Sequence, residues 1–376
     1  MKGRNCPVCG SKHTSIIKKI NMKVPEDYHL PESYNVVECE VCGMVYADTE
    51  GTMEDYDWYY SQCNFYGDGS KEDNAMRYPM VKDFLDAYCR KDSAILNIGI
   101  GNGRFEIELK SSGYAKIKGM DPSEASVEQL KSAGIEAYKG NIYRNVAERE
   151  RHKYDCVTFF EVAEHLLEPK KGIENVTMLL KAGGIFIVSV PDYSVLCKET
   201  AYPLAHCFNL EHINYFSEMS LDNLMGQFGL VGIAKKRVGE DLIQCYENVG
   251  NVMGLKKDTV TADAVKKYVA FQEGKGNQVA GIIEKLKSQQ EEIMVWGTGS
   301  YAMSLFAETD LLQCNIQGFV DNNKLRQGRK IYGYSIYAPE ILYDKNYTVL
   351  ICSMLNSEDI RLQFEKMRTG NPCIVL

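Results

Sequence analysis

The sequence predicts an α/β protein with two parallel sheets and crossover helices, the second sheet smaller than the first, behind an N-terminal metal-binding segment. Three observations predict it. Apolar strand patterns alternate with helical ones over residues 71–240 and again over 292–376. Each stretch opens on a glycine loop between a strand and a helix, "NIGIGNG" in the first and "VWGTGSYA" in the second. Two C-x-x-C pairs lie ahead of both.

The composition bounds the function. Apolar residues make up 45% and charged residues 25% of the 376, as in ordinary globular chains. A net charge of -8 argues against general nucleic-acid binding, which calls for a basic face. No apolar run is long enough to span a bilayer, so no membrane role is expected. The opening "MKGRNCPVCG" has no apolar h-region, so secretion is not expected either. Thirteen cysteines then read as reduced thiols and metal ligands, with a cytoplasmic location.

Residues 1–70 hold "CPVC" (Cys6, Cys9) and "CEVC" (Cys39, Cys42), each followed by a glycine that suits the tight turn of a knuckle. Four thiolates in two such pairs can surround one structural Zn²⁺ tetrahedrally and fold a segment that has little core of its own. The competing readings are a redox dithiol and plain buried cysteines. A redox pair usually opens a helix after a strand, and neither pair here does so. The same segment contains "DWYYSQCNFYGDG", whose Tyr59, Tyr60, Phe65 and Tyr66 could cover a ligand or pack beneath a loop.

In residues 71–240 the strand candidates are "AILNIG", "KIKGMD", "YDCVTFF" and "GIFIVSV"; after them "GLVGIAKKRV" and, past residue 240, "LIQCYENVG" read as a strand pair that could close the sheet. After the first of these strands come Gly99, Gly101 and Gly103, then a helix, then a second strand ending in Asp121 and Pro122. Glycines bring the backbone close to a ligand, and the helix N-terminus presents unpaired N–H groups. Asp121 stands where an acid accepts hydrogen bonds from ribose hydroxyls. A dinucleotide fingerprint would place its third glycine at Arg104.

The G-x-G-x-G form resembles the loop of class I methyltransferases, which cradles the amino-acid part of S-adenosylmethionine. Further segments resemble that family in order. "GNIYRN", with Asn141 and Ile142, falls at the adenine-contacting loop. "YDCVTFFEVAEHLLEP", with Glu161 and His165, resembles the fourth strand and its E-x-x-E-H tail, and "LLKAGGIFIVSVPD" resembles the run into strand five. One departure is Asn97, where the family usually carries an acid; Asn can still orient the loop. The resemblance implies that Asn97, Gly99, Gly101, Gly103, Asp121, Pro122, Asn141, Ile142, Glu161 and His165 hold the cofactor.

The segment after strand five contains "FNLEHINYFS", which puts Glu211 and His212 on the substrate side, with Ser217 as N-cap of the next helix. His212 can remove the acceptor's proton near neutral pH, and Glu211 can orient it. The alternatives are a core or capping histidine and a surface acid. His165 and His206 read as cofactor-side or packing residues rather than as bases.

Residues 241–291 form a mainly helical connector, and 292–376 a second α/β unit with strands "EIMVWG", "IQGFVD", "YTVLICS" and "CIVL". Gly297, Gly299, Ala302 and Asp321 fit G-x-G-x-x-A, but the stretch is only long enough for half of a doubly wound sheet. Lys324, Arg326 and Arg329 could meet phosphates or remain solvated. Knuckle segment, methyltransferase core and small Rossmann-like domain together resemble the C-methyltransferases of nucleotide-linked deoxysugars. That family's Y-H-E-H motif is matched at its last two positions by Glu211 and His212, while Asn209 and Leu210 occupy the first two. The resemblance implies a phosphorylated or nucleotide-linked small-molecule acceptor, methylated at carbon or oxygen. The competing functions are an NAD-dependent sugar-nucleotide oxidoreductase and a non-catalytic zinc-dependent scaffold.

Overall fold

A computed structural model describes residues 3–25, 28–62, 77–144, 146–196, 203–353 and 356–376. They divide into two units, one drawn from Met1–Ile17, Asn35–Leu196 and Glu211–Val265, the other from Lys18–Tyr34, Cys197–Leu210 and Lys266–Leu376. Phe65 and Tyr66 lie outside the described residues.

The first unit begins with strands β1 (Thr14–Asn21), which continues into the second unit, β2 (Ser33–Cys39) and β3 (Val45–Asp48). Helices α1 (Met53–Gln62) and α2 (Arg77–Tyr88) follow. Its main sheet takes β4 (Ala94–Ile98), β5 (Lys116–Asp121), β6 (Glu136–Lys139), β7 (Tyr154–Phe160) and β8 (Leu180–Pro191). A short β9 (Asn214–Tyr215) pairs with β3, and β10 (Leu230–Val238) and β11 (Asp241–Asn248) complete the main sheet. The order is β10-β11-β8-β7-β4-β5-β6. β8, β7, β4, β5 and β6 run parallel, and β11 lies antiparallel between β8 and β10.

The near-continuous apolar runs of these strands follow from burial on both faces. Side chains alternate between the faces. Leu96, Val157, Phe159, Phe186 and Val188 enter one apolar cluster, and Ile95, Cys156, Ile185 and Ile187 enter the other. Helices α3 (Arg104–Ser111), α4 (Glu124–Ser132) and α5 (Pro169–Leu179) contribute to these clusters. The chain leaves β4 toward β5 on one side and toward β7 on the other, so the sheet's topological switch lies between β4 and β7. Open α/β sheets bind ligands there, at the carboxyl ends of the strands.

Helix α6 (Leu204–Cys207) belongs to the second unit; α7 (Glu218–Gly226) returns to the first. Ser217 caps α7 as the sequence predicts. Its side chain accepts from Ser220 N, Ser220 reciprocates to the Ser217 N–H, and the Ser217 hydroxyl donates to Asp258 Oδ2 at 2.5 Å. Ser217→Ala is therefore expected to lower stability by about 1–2 kcal/mol in a urea titration. No change would deny the cap any weight.

The second unit continues along α8 (Thr261–Gln289) into β12 (Ile293–Trp296), α9 (Ser300–Glu308), β13 (Ile316–Val320), β14 (Lys330–Ile331), β15 (Tyr334–Tyr337), β16 (Thr348–Ile351), α10 (Ser357–Met367) and β17 (Cys373–Val375). Its sheet order is β14-β15-β13-β12-β16-β17, and only the β14–β15 hairpin is antiparallel. β1, β2, β3, β6, β9, β14 and β15 are additions to the strands read from the sequence. Among the described residues no helix is long and apolar enough to cross a membrane.

Candidate active site

The glycine loop at the end of β4 is held by buried polar side chains. Asn97, 1% exposed, donates from Nδ2 to Gly99 O at 3.1 Å and to Glu106 Oε1 at 2.7 Å, and accepts from Thr158 Oγ1 at 2.7 Å. Asn97 thus orients the loop, as expected of it. Asp121 Oδ2 accepts from Ile100 N at 2.8 Å and Gly101 N at 3.3 Å, and Oδ1 accepts from Ser123 N at 2.8 Å. The sequence points Asp121 at a ribose; the structure also gives it the task of tying the loop to β5. Oδ2 is occupied by its two donors, and Oδ1, with one, keeps a second lone pair for a ligand. Burial pushes its carboxyl above the ordinary range, against these backbone donors. Gly103 gives α3 no side-chain cap, which leaves first-turn N–H groups for an anion.

Gly99 has φ 89°, and a Cβ there would meet Val162 Cγ2 at 2.5 Å. Gly99→Ala combines a left-handed backbone with a clash, and is expected to weaken binding of S-adenosylhomocysteine on the order of tenfold in calorimetry. An unchanged affinity would place the ligand away from this loop.

That contact also links the loop to the turn after β7. Glu161 adopts φ 55° there, a conformation that costs a non-glycine residue about 1–3 kcal/mol. Its N–H donates to Ser189 O at 3.1 Å and its Oε1 accepts from Ser189 Oγ at 3.0 Å. A single helical turn, Ala163–His165, follows. Glu164 is fully buried, with Oε1 3.9 Å from His165 Nε2. His165 Nδ1 lies 3.0 Å from Glu211 O and 3.1 Å from the Tyr60 hydroxyl. A carbonyl only accepts, so Nδ1 carries the proton and Nε2 the lone pair. Burial lowers the pKa of His165 and favours this neutral imidazole.

The His165 ring stands edge-on to His212, with centroids 4.8 Å apart. The Tyr59 hydroxyl donates to Glu211 Oε1 at 2.5 Å. The structure therefore gathers Glu161, His165, Glu211 and His212 at the carboxyl end of β7. Asn141 instead donates to Asp57 Oδ1 at 2.5 Å, and Ile142 is buried with its carbonyl accepting from Asn175. Pro122 is half-buried beside Asp121.

Residues not singled out from the sequence hold this cluster. The half-buried Arg4 donates from its guanidinium to Leu167 O at 2.8 Å, Ile213 O at 3.3 Å and Asn214 Oδ1 at 2.9 Å. Asn214 Nδ2 donates to Ala163 O at 3.0 Å and Leu166 O at 2.7 Å, and Ile213 N to Glu164 O at 2.9 Å. The segment that leads from His212 into β9 is thereby fastened to the turn carrying His165. Only Glu164 left a sequence signal, inside the E-x-x-E-H run.

Cys6, Cys9, Cys39 and Cys42 bring their sulfurs within 4.8 Å of one another, with Cys6–Cys42 at 3.6 Å and Cys9–Cys39 at 3.4 Å. Metal–thiolate bonds of about 2.3 Å give a tetrahedral edge of about 3.8 Å, so the cluster fits one ion. Gly43 turns the second knuckle at φ 76°, where a Cβ would meet Asp258 O at 1.9 Å.

Residues 73–235 match a family described as a methyltransferase domain. This stretch is a class I, S-adenosylmethionine-dependent methyltransferase domain. Among curated relatives, a ubiquinone biosynthesis O-methyltransferase of Neisseria meningitidis serogroup C is 27% identical over 121 residues, 30% of this chain and 50% of that one. A ribosomal protein L11 methyltransferase of Dictyoglomus turgidum is 31% identical over 116 residues, 29% of this chain and 36% of that one. The chain thus spans half or less of the length of these relatives. Among solved structures, N-methyltransferase NodS from Bradyrhizobium japonicum, in complex with S-adenosylhomocysteine, is similar at TM-score 0.40 and 14% identity, covering 50% of this chain and 95% of its own. The glycine loop and the imidazole pair both lie within this stretch, and Tyr59 and Tyr60, the partners of Glu211 and His165, precede it.

Residues 289–374 match a second family, described as C2185-like, N-terminal. In this unit Thr298 Oγ1 donates to Asp321 Oδ2 at 2.5 Å, and Arg326 Nη1 donates to Thr298 Oγ1 at 2.8 Å and lies 3.5 Å from Asp321 Oδ2. Asp321, the acid of the G-x-G-x-x-A pattern, is engaged by these side chains.

Proposed function

We propose that the chain transfers a methyl group from S-adenosylmethionine to a small-molecule acceptor at the carboxyl ends of β4, β5 and β7. Asn97, Gly99, Gly101, Gly103, Asp121 and Pro122, with Asn141, Ile142, Glu161 and His165, form the donor's side of the site. His212, with Glu211 held by Tyr59, serves the acceptor. The observation that carries this reading is the junction of Gly99 with Val162, which sets the donor loop beside the turn bearing the imidazole pair. Methyl transfer is an in-line displacement, so donor cradle and acceptor group have to border one another.

The four-cysteine cluster is assigned a structural Zn²⁺, which four thiolates favour and which leaves no open position for chemistry. The small C-terminal unit, with its strand–glycine–helix start, is assigned a Rossmann-like fold that assists a nucleotide-linked or otherwise phosphorylated sugar acceptor. That acceptor class rests on the resemblance in domain order.

Calorimetry with S-adenosylhomocysteine tests the reading. The wild-type protein is expected to bind it. His212→Ala is expected to keep that affinity while methyl transfer falls by on the order of 10²–10⁴. Binding of NAD in place of S-adenosylhomocysteine would overturn the proposal.

A further inference from the structure

We propose that Glu164, His165 and His212 bind a divalent transition-metal cation, separate from the four-cysteine cluster, that receives an oxygen of the acceptor. The inference rests on the methyl-transfer reading for its role and on the cluster's own geometry for its existence. One donor atom from each of the three side chains lies within 4.8 Å of the others. First-row metals hold nitrogen and oxygen donors at about 2.0–2.2 Å, which sets donors about 3.4 Å apart in a tetrahedral site. His165 Nε2 and Glu164 Oε1, at 3.9 Å, close to that spacing by a small rotation about their side-chain bonds.

The surroundings of these residues are those of a ligand set. His165 keeps Nδ1 on the Glu211 carbonyl and turns the Nε2 lone pair toward Glu164. A ligating imidazole is oriented in this way, by a backbone carbonyl on its other nitrogen. Glu164 places a carboxylate at zero exposure between elements that Arg4 and Asn214 lock in place. Two imidazoles and one carboxylate select zinc, cobalt, nickel or iron over magnesium and calcium, which prefer all-oxygen shells. Three protein ligands leave an open position, as in catalytic rather than structural sites.

In this arrangement His212 acts as a ligand. The cation lowers the pKa of the bound acceptor hydroxyl, whose proton leaves to solvent water. The oxygen's lone pair then forms the O–CH₃ bond while the S–CH₃ pair returns to sulfur. The acceptor is thereby an oxygen nucleophile.

Equilibrium dialysis of the full chain against Zn²⁺, followed by elemental analysis, tests the site without using turnover. The wild-type protein is expected to retain one equivalent more than His212→Ala and Glu164→Gln, with all three proteins binding S-adenosylhomocysteine alike as proof of fold. His212 is partly exposed, so its variant keeps the test open if Glu164→Gln fails to fold. Equal zinc content in wild-type protein and folded variants overturns the inference. If the extra equivalent is present but S-adenosylhomocysteine does not bind, the metal site stands and the methyltransferase reading falls. If S-adenosylhomocysteine binds without the extra equivalent, only the metal site falls.

Discussion

Replacing Cys39 by Ser, or dialysing the protein against a strong chelator, is expected to destabilise the whole first unit by at least about 4 kcal/mol. A structural zinc site contributes folding energy outright, on the order of 10 kcal/mol in small knuckles. The consequence reaches past the knuckle because Cys6, Val8, Cys39, Cys42, Met44 and Tyr46 share one apolar cluster with Phe159 of the main sheet, Phe216, and Leu221 and Leu224 of α7. Asp258 N also donates to Cys42 O at 2.9 Å, and Asp258 holds the Ser217 cap. Loss of the proposed Zn²⁺ is therefore expected to loosen the packing against α7 and the strand that follows His212. Thermal unfolding followed by circular dichroism should show a much lower midpoint for Cys39→Ser. Added Zn²⁺ should restore the chelated wild-type protein and leave the variant unchanged. Identical midpoints with and without chelator would remove the metal from the account of stability.

The elements most legible in the sequence were those with local signals. The bounds of β5 and β7 follow from "KIKGMD" and "YDCVTFF", and the Ser217 cap and the long helix α8 from patterns within a few residues. β6 carried no such signal, because its four residues, "EAYK", bury only Ala137 at a sheet edge. The β14–β15 hairpin is equally short. In the site, residue types were readable and partners were not. His212 and His165 could be named, but their edge-on contact depends on Arg4 and Asn214, which act across separations of 210 residues and 48–51 residues. Asp121 was placed correctly at the end of its strand, yet its bonds to the loop N–H groups follow from a turn conformation that the residue order alone does not specify.

Glu106 gives the second large effect, and one of unusual sign. It is fully buried in the first turn of α3, its Oε1 accepts from Asn97, and its Oε2 has no hydrogen-bond partner. Burial pushes its carboxyl from 4.5 up to about 7, and the Asn97 hydrogen bond opposes that rise only in part. In the folded protein the carboxyl holds its proton over a range where the unfolded chain has released it. Stability therefore falls as pH rises from about 4.5 to about 7 and levels off beyond, by a total of about 3 kcal/mol at 1.36 kcal/mol per pH unit. Glu106→Gln keeps an acceptor for Asn97 and removes the titration. Urea unfolding at pH 5, 6, 7 and 8 should show this decline in the wild-type protein superimposed on its other titrations, and a smaller decline in Glu106→Gln. The unsatisfied amide of Gln costs about 1–3 kcal/mol at every pH, so the difference between the two slopes, and not the absolute stability, is the quantity to compare. Parallel profiles would mean that the Glu106 carboxyl titrates as it does in water, and that the Asn97 anchor of the donor loop rests on an ionised acid at neutral pH.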